Sequence, residues 1–156
     1  MRIFVDTNVL FDIFAQREPF VHSAKKLLIM QAFGDAEIWA APQSYLDVFY
    51  LLRKTQSAEQ LTQILNTSLQ RINLCTTGHD DMRSALNAGW DDVEDALIGL
   101  SCRKTFADYL LTRDEKQQGF KNLGIPSLSP ESFFERIKDE FGVMYNEIEF
   151  SKSAVS

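Results

Sequence analysis

Cysteine and histidine are scarce in this chain of 156 residues, which contains two of each. Cys75 and Cys102 form no Cys-x-x-Cys pair and have no histidine at zinc spacing, which argues against a zinc site and against a disulfide framework. We expect both to be buried thiols in a reducing compartment. His22 and His79 lie far apart and belong to no catalytic motif, so we expect them to be solvated or near helix ends.

Long hydrophobic runs are also missing. No apolar run approaches the ~20 residues that a membrane span needs, and residues 1–6 become charged too early for a signal peptide. The hydrophobic content of 45% and the charged content of 24% are typical of a globular domain of ordinary size. We therefore expect a soluble, cytoplasmic protein in which residues 1–140 form one domain and residues 141–156 a C-terminal extension.

Basic residues are outnumbered, 16 against 22 acidic residues, which gives a net charge of −6. This balance argues against a protein that holds nucleic acid by bulk electrostatics. It is compatible with an enzyme whose acids are concentrated in a metal site and whose basic residues line the rim. It would also suit a basic partner.

Apolar runs alternate with helical patterns along the chain. Strands are predicted at residues 2–5, 37–41, 71–75, 108–112 and 125–128, and helices at about 7–16, 19–33, from 42, 58–70, 79–88, 93–106 and 130–140. Because no tight hairpin signal joins the strands, we expect an α/β fold with a mostly parallel sheet covered by helices on both faces. Ligands of such folds bind at the carboxyl ends of the strands.

Four aspartates are the main candidates for catalysis. Asp6 closes the apolar run of the first strand, and Asp114 follows the fourth. Asp47 and Asp95 lie within apolar helical patterns, where a charge needs a partner. Carboxylates about 4 Å apart repel by roughly 4 kcal/mol at an effective dielectric of about 20, and a hard divalent cation converts that repulsion into binding. The pattern indicates metal-assisted phosphodiester hydrolysis.

Structural roles are open for three of these aspartates. Asp6 could cap the helix that follows it, although Thr7 and Asn8 compete for that position. Asp114 could be a turn residue. Asp47 could accept a hydrogen bond from a neighbouring tyrosine or from a lysine on its own helix.

The acidic run before Asp95 admits a division of roles. Asp91 is expected to be the N-cap of the helix and Glu94 its capping-box partner, directed away from the site. Asp92 shares a helix face with Asp95 and is therefore a candidate for a secondary metal ligand. Arg113, beside Asp114, could hold a phosphate in a bidentate manner.

Taken together, these segments resemble the PIN-domain ribonucleases, including the VapC-like toxins. Residues 5–12 (Val-Asp-Thr-Asn-Val-Leu-Phe-Asp) are similar to the first acidic motif of that family. Residues 92–97 are similar to a later motif, with Asp95 in the key position, and residues 107–114 to the strand that carries the final acid. The tail 125–133 resembles the last strand and helix, so that the match extends to about residue 138.

The resemblance implies a PIN-like three-layer α/β sandwich and an endoribonuclease that cleaves single-stranded RNA with Mg²⁺ or Mn²⁺, as the toxin of a toxin–antitoxin pair. An antitoxin partner and a homodimer are part of that expectation. The implied catalytic acids are Asp6, Asp47, Asp95 and Asp114, and the implied metal ligands are Asp6, Asp95, Asp114 and Asp92. Phosphate contacts are expected from Arg113 and Asn8, whereas Lys116 and Lys121 are either further contacts or solvated residues.

Two departures from the family pattern keep other functions open. The usual glutamate of the helix after the second strand is Asp47 here, one methylene shorter, and the second aspartate that often follows the final acid is missing from residues 115–120. The alternative is therefore a catalytically inactive PIN-like module that binds protein or RNA. A phosphotransferase with Asp6 as nucleophile is disfavoured, because Asn8 stands where a second aspartate is required.

Overall fold

A parallel sheet forms the centre of the protein in a computed structural model, which describes residues 1–114 and 118–146. Within these residues the sheet has five strands in the spatial order β3-β2-β1-β4-β5. They are β1 (Arg2–Val5), β2 (Glu37–Ala40), β3 (Ile72–Leu74), β4 (Tyr109–Leu111) and β5 (Ser127–Leu128). The α/β class and all the predicted strands are confirmed.

The helices of the described residues also follow the predicted order. They are α1 (Thr7–Ala15), α2 (Val21–Ala32), α3 (Pro42–Leu52), α4 (Ala58–Ser68), α5 (His79–Leu86), α6 (Val93–Lys104), α7 (Gln118–Lys121) and α8 (Pro130–Phe141). Ser57 and Ser129 cap α4 and α8, since their hydroxyls accept hydrogen bonds from the backbone N–H groups of Gln60 and Ser132, both at 3.2 Å. Only α7 was not predicted, because four residues carry no periodic pattern.

Successive side chains of the central strands enter two separate cores, which makes the fold three-layered. Ile3 and Val5 of β1 pack with apolar residues of α1–α4 and α8. Phe4, between them, packs with Leu110 of β4 and with apolar residues of α6 and α7. All four are fully buried, and each such side chain contributes about 1.5–3 kcal/mol relative to exposure. This burial on both faces explains why the strands are apolar throughout.

Helix α3 differs from its predicted environment. Its apolar sequence suggested burial all round, but only one face, with Val48 and Leu52, enters the core. Leu46, Tyr50 and Leu51 are 70%, 55% and 45% exposed. The helix packs against α1 and α4, and these neighbours leave its outer face uncovered. It therefore presents an apolar face to the surface.

Strands β1 and β4 border the crevice in which a ligand is expected. The chain leaves β1 towards β2 on one side of the sheet and leaves β4 towards β5 on the other. The carboxyl ends of the two strands consequently flank the point where the strand order reverses. Val5 is paired with Leu111, and the N–H of Asp6 donates to the Leu111 carbonyl at 2.9 Å. The pairing sets Asp6 beside the residues that follow β4.

The cysteines match their predicted environment, because Cys75 and Cys102 are buried free thiols. His22, paired with Glu18, is exposed, and so is His79 in the first turn of α5. No helix of the described residues is long and apolar enough to cross a membrane.

Part of the predicted C-terminal extension is docked on the main body. Helix α8 runs to Phe141. Beyond it, Tyr145 packs edge-on against Phe134 with ring centroids 6.0 Å apart and donates a hydrogen bond to Asp35 at 2.6 Å. The division into residues 1–140 and 141–156 stays a prediction.

Candidate active site

Asp6 is the buried centre of the site, with only 6% of its surface exposed. One carboxylate oxygen, Oδ1, accepts a hydrogen bond from the Thr7 N–H at 2.7 Å, and Oδ2 accepts one from the Thr112 hydroxyl at 2.8 Å. Asp6 is thus itself the N-cap of α1, whereas the sequence favoured Thr7 or Asn8, which already lie within the helix. A carboxylate offers about four acceptor positions, so capping leaves room for a cation.

Three of the predicted acids, Asp6, Asp95 and Asp114, lie close enough to interact through their charges. Burial raises the pKa of the Asp6 carboxyl, the hydrogen bonds from Thr112 and Thr7 oppose this in part, and the charges of Asp95 and Asp114 raise it further. Among the described residues, the charges that act on the Asp6 carboxyl are those of other carboxylates. Such a group favours the approach of a cation.

Thr112 connects two of these acids and was not singled out from the sequence. It is fully buried directly after β4. Its hydroxyl donates to Asp6 and accepts a hydrogen bond from the backbone N–H of Asp114 at 3.0 Å. The exposed Asp114 is thereby fixed relative to the buried Asp6. A hydroxyl residue between a buried strand and an acid is the sequence signal that could have identified it.

The start of α6 differs from the prediction by one residue. The N-cap is Asp92, not Asp91, because the helix begins at Val93. Oδ1 of Asp92 accepts hydrogen bonds from the N–H groups of Glu94 at 2.8 Å and Asp95 at 3.2 Å. Asp92 therefore has a structural function, and its additional role as a metal ligand stays a prediction.

Glu94 faces the site, contrary to the prediction that it points elsewhere. Its carboxylate accepts a hydrogen bond from the Thr7 hydroxyl at 3.4 Å, and Asp47 lies near enough for its charge to act on Glu94. Partial burial, and then the charges of Asp47, Asp6 and a third acid, raise its pKa. The reason is geometric, since side chains of a first helical turn lean towards the helix N-terminus, which here meets the crevice. Glu94 is thus the acidic partner of Asp47, where the sequence suggested a tyrosine or a lysine.

The donor set suits a hard divalent cation, although the acids are not packed into a finished site. Among residues 1–114 and 118–146, no three metal-ligating side chains lie close enough together to hold an ion as they stand. The groups that meet are all carboxylates, and the pKa values of Asp6 and Glu94 are raised. Oxygen ligands of this kind select Mg²⁺ or Mn²⁺ over softer metals.

Arg113 is turned away from the acids of the crevice. Its Nε donates to Oδ2 of Asp12 at 2.9 Å, and its Nη1 is bonded to Glu131. The guanidinium lies 4.1 Å from the ring centre of Phe20. A bidentate phosphate contact would require Arg113 to leave both carboxylates, so the structure favours a structural role over the predicted one.

Three other residues, Asn8, Lys121 and Lys116, were predicted as possible phosphate contacts. Oδ1 of Asn8 accepts a hydrogen bond from the backbone N–H of Arg113 at 3.1 Å, and its contact with substrate stays a prediction. Lys121 is exposed at the end of α7. Lys116 lies outside the described residues.

Comparison with known proteins identifies a family that matches most of the chain. A family model described as a PIN domain matches residues 2–116. No curated protein matches the sequence.

Several solved structures share the fold at low sequence identity. VapBC-1 from nontypeable Haemophilus influenzae has a TM-score of 0.62 at 13% identity, with 84% of this chain and 99% of that chain covered. A toxin–antitoxin complex from Klebsiella pneumoniae has a TM-score of 0.59 at 21% identity, with 82% and 97% covered. VapBC2 from Rickettsia felis, bound to a DNA fragment from its promoter, has a TM-score of 0.56 at 17% identity, with 83% and 98% covered.

Proposed function

Because the chain belongs to the PIN-domain family, whose members are generally nucleases, we propose that it is an endoribonuclease that hydrolyses single-stranded RNA with Mg²⁺ or Mn²⁺. The observation that carries the proposal is the meeting of Asp95 and Asp114 at the buried Asp6, whose pKa they raise. Carboxyl groups brought close to one another in a crevice repel. A bound cation offsets that repulsion.

The chain's own residues have separable roles in this proposal. Asp6, Asp95 and Asp114 would hold the ion, with Asp92 as an outer ligand. When bound, a divalent cation lowers the pKa of a coordinated water and stabilises charge on the phosphate. Thr112 orients Asp6 and the backbone of Asp114 through its hydroxyl.

The pair of Glu94 and Asp47 supports catalytic competence despite the short side chain of Asp47. The charge of Asp47 raises the pKa of Glu94, so the two acids lie near each other at the rim of the crevice. Glu94 would supply there a side chain one methylene longer than that of Asp47.

The direct test is cleavage of a single-stranded RNA by the purified protein. We expect cleavage with Mg²⁺ or Mn²⁺, and loss of cleavage in the variants Asp6→Asn and Asp95→Asn. Asp139→Asn, which changes an exposed acid of α8, is the matched control and should remain active. Full activity in excess chelator would contradict the metal mechanism, and cleavage of DNA in preference to RNA would contradict the substrate.

A catalytically inactive binding module is the second candidate. It is favoured by the absence of three closely packed metal ligands within the described residues and by the replacement of the family's glutamate with Asp47. Calorimetry separates the two functions, because the enzyme must bind Mn²⁺ or Mg²⁺ in the folded state. A folded protein that binds neither ion would favour the module.

We also propose an antitoxin as the protein partner, with the groove between α3 and α4 as its docking site. The groove encloses about 270 Å³ and is lined mainly by apolar side chains, including Tyr45, Leu46, Phe49, Leu65 and Leu69. Similar folds are solved as toxin–antitoxin complexes. The net charge of −6 suits a partner that carries basic residues beside an apolar segment.

The partner is tested with the product of the neighbouring reading frame. Co-expression should give a stable complex, and Leu69→Glu at the rim of the groove should disrupt it without changing RNA cleavage. A complex that tolerates Leu69→Glu would contradict the docking site. If the same substitution instead converts a homodimer to a monomer in sedimentation, the groove belongs to an interface between two copies of this chain. The homodimer itself is a separate prediction.

A further inference from the structure

A cluster of charged side chains surrounds the buried Asp12 beside the turn that carries Asp114. We call Asp12, Arg17, Arg113 and Glu131 the Arg113 cluster. Asp12 is completely buried in α1, and its two carboxylate oxygens lie 2.9 Å from the Nε atoms of Arg17 and Arg113. Arg113 in turn is paired with Glu131 in the first turn of α8. The guanidinium of Arg113 thus bridges two carboxylates from different helices.

Burial makes this arrangement sensitive to the loss of any partner. The side chain of Arg113 is 17% exposed, and its guanidinium also covers the ring of Phe20 at 4.1 Å. Desolvation would lower the pKa of Arg113, but Glu131 and Asp12 outweigh it and raise that pKa. Removal of one partner from a buried ion pair leaves the other charge uncompensated. The cluster therefore fixes Arg113 in one position.

Hydrogen bonds of residues 112–114 link Arg113 to the acids of the crevice. The N–H of Arg113 donates to Oδ1 of Asn8 at 3.1 Å, which ties the turn to α1. On one side Thr112 is bonded to Asp6, and on the other the N–H of Asp114 is bonded to Thr112. Residues 112–114 are consequently attached to α1 through both backbone and side chains.

We propose that Arg113 is a positioning residue, which, through Asp12 and Glu131, holds the turn after β4 so that Asp114 faces Asp6 in a geometry able to bind a divalent cation. This inference rests on the proposed metal-dependent function. It assigns to Arg113 a role different from a phosphate contact, because Nε and Nη1 are already bonded to Asp12 and Glu131 and Nη2 is buried. The roles of Asp12 and Glu131 follow from the same contacts.

The two roles of Arg113 predict different behaviour for Glu131→Gln. This substitution removes one charge of the cluster at a side chain that is 43% exposed, so the protein should fold. Glu140→Gln is the matched control, since Glu140 lies on the same helix, has the same 43% exposure and is paired with Arg136. Arg113→Lys is the second variant, because lysine keeps the charge but cannot bridge both carboxylates.

Two measurements test the positioning role without relying on activity. Hydrogen exchange of the Arg113 and Asp114 amides in metal-free protein reports the order of the turn, and calorimetry reports Mn²⁺ affinity. We expect Glu131→Gln and Arg113→Lys to lose protection at both amides and to weaken Mn²⁺ binding by about 10- to 100-fold, as is usual when a residue supporting a metal ligand is lost. In cleavage assays kcat should fall with KM unchanged. Glu140→Gln should match the wild-type protein in every assay.

The opposite results identify what has failed. Unchanged Mn²⁺ affinity in Glu131→Gln, together with a raised KM in Arg113→Lys alone, would overturn the positioning role and favour a phosphate contact. Unchanged amide protection in Glu131→Gln would overturn it as well. A wild-type protein that binds no divalent cation would refute both the proposed function and the positioning role. If the wild-type protein binds the ion and the cluster variants bind it equally well, only the positioning role is refuted.

Discussion

The hydroxyl of Thr112 donates a hydrogen bond of 2.8 Å to Oδ2 of Asp6, across 106 positions of the sequence. It joins the ends of the two central strands at the side chain on which the site depends. Because the bond is buried and the acceptor is a carboxylate, its loss has both a structural and an electrostatic consequence.

Replacement of Thr112 by valine removes this donor with little change in shape. We expect Thr112→Val to destabilise the protein by about 1.5–3 kcal/mol, the usual range for a hydrogen bond to a charged group, and to weaken Mg²⁺ binding by about 10- to 100-fold. Denaturant unfolding and calorimetry measure the two effects. Thr105→Val is the control, because the Thr105 hydroxyl is also buried but donates to the Cys102 carbonyl. Equal Mg²⁺ affinity in both variants would contradict the role of Thr112.

Removal of a charge from the rim of the crevice should stabilise the metal-free protein. The pKa of Glu94 is raised by partial burial and by Asp47, Asp6 and Asp92, so Glu94→Gln relieves unfavourable charge. We expect a gain of about 0.5 kcal/mol in chelator, within the range of exposed charge interactions, and a smaller stabilisation by added Mg²⁺. Thermal unfolding measures both. Glu59→Gln is the control, since Glu59 occupies the first turn of α4, and a gain of the same size there would show that the effect is not specific to the crevice.

The pH dependence of stability should reverse when the cation is added. The pKa of Asp6 is raised above its ordinary value of 3.8, so its contribution to the stability of the metal-free protein is present at low pH and is lost as the pH rises through the folded-state pKa. A divalent cation binds the ionised form and therefore stabilises the protein more at higher pH. The difference in Tm between Mg²⁺ and chelator should widen in the wild-type protein as the pH rises above the ordinary pKa of 3.8. In Asp6→Asn this difference should be small and constant, and a constant difference in the wild-type protein would be the contrary result.

Gly99 provides a test of packing in the layer that carries Asp95. A β-carbon at this position would lie 2.8 Å from the ring of Trp90 and 3.1 Å from Leu123. Gly99 therefore leaves the space that the side chains of Trp90 and Leu123 occupy. We expect Gly99→Ala to destabilise the protein by about 1–3 kcal/mol, the typical effect of overpacking. Trp90→Phe should recover part of the loss in the double variant, and equal losses with and without it would contradict the steric cause.

The sequence was sufficient for the sheet and for the positions of Asp6 and Asp114 after its central strands, because both depend on local patterns. Apolar strands that alternate with helical segments predict parallel order, and parallel order brings the residues after β1 and β4 to one edge. Asp6 and Asp114 follow directly from that rule. Asp95 follows from a charge within an apolar helical pattern.

The remaining parts of the site depend on contacts that no local pattern contains. The partners of Arg113 are 101 residues away at Asp12 and 18 residues away at Glu131. The direction of Glu94 depends on Thr7, which is 87 residues away in the sequence. Asp12 did carry the signal that identified Asp47, a charge in an apolar helix, but its partners are Arg17 and the distant Arg113 rather than acids.

The strand order has a consequence for the way in which the site is assembled. Strand β1 precedes the other strands in the chain but lies in the middle of the sheet, between β2 and β4. Asp6 therefore comes early in the chain, but the site around it is assembled late. Its neighbours are Thr112, Asp114 and the N-terminus of α6, which follow about a hundred residues later. Such distant pairings are slow steps in folding. A chain interrupted before β4 would contain the first acid of the crevice but no crevice, so the proposed activity would require a nearly complete fold.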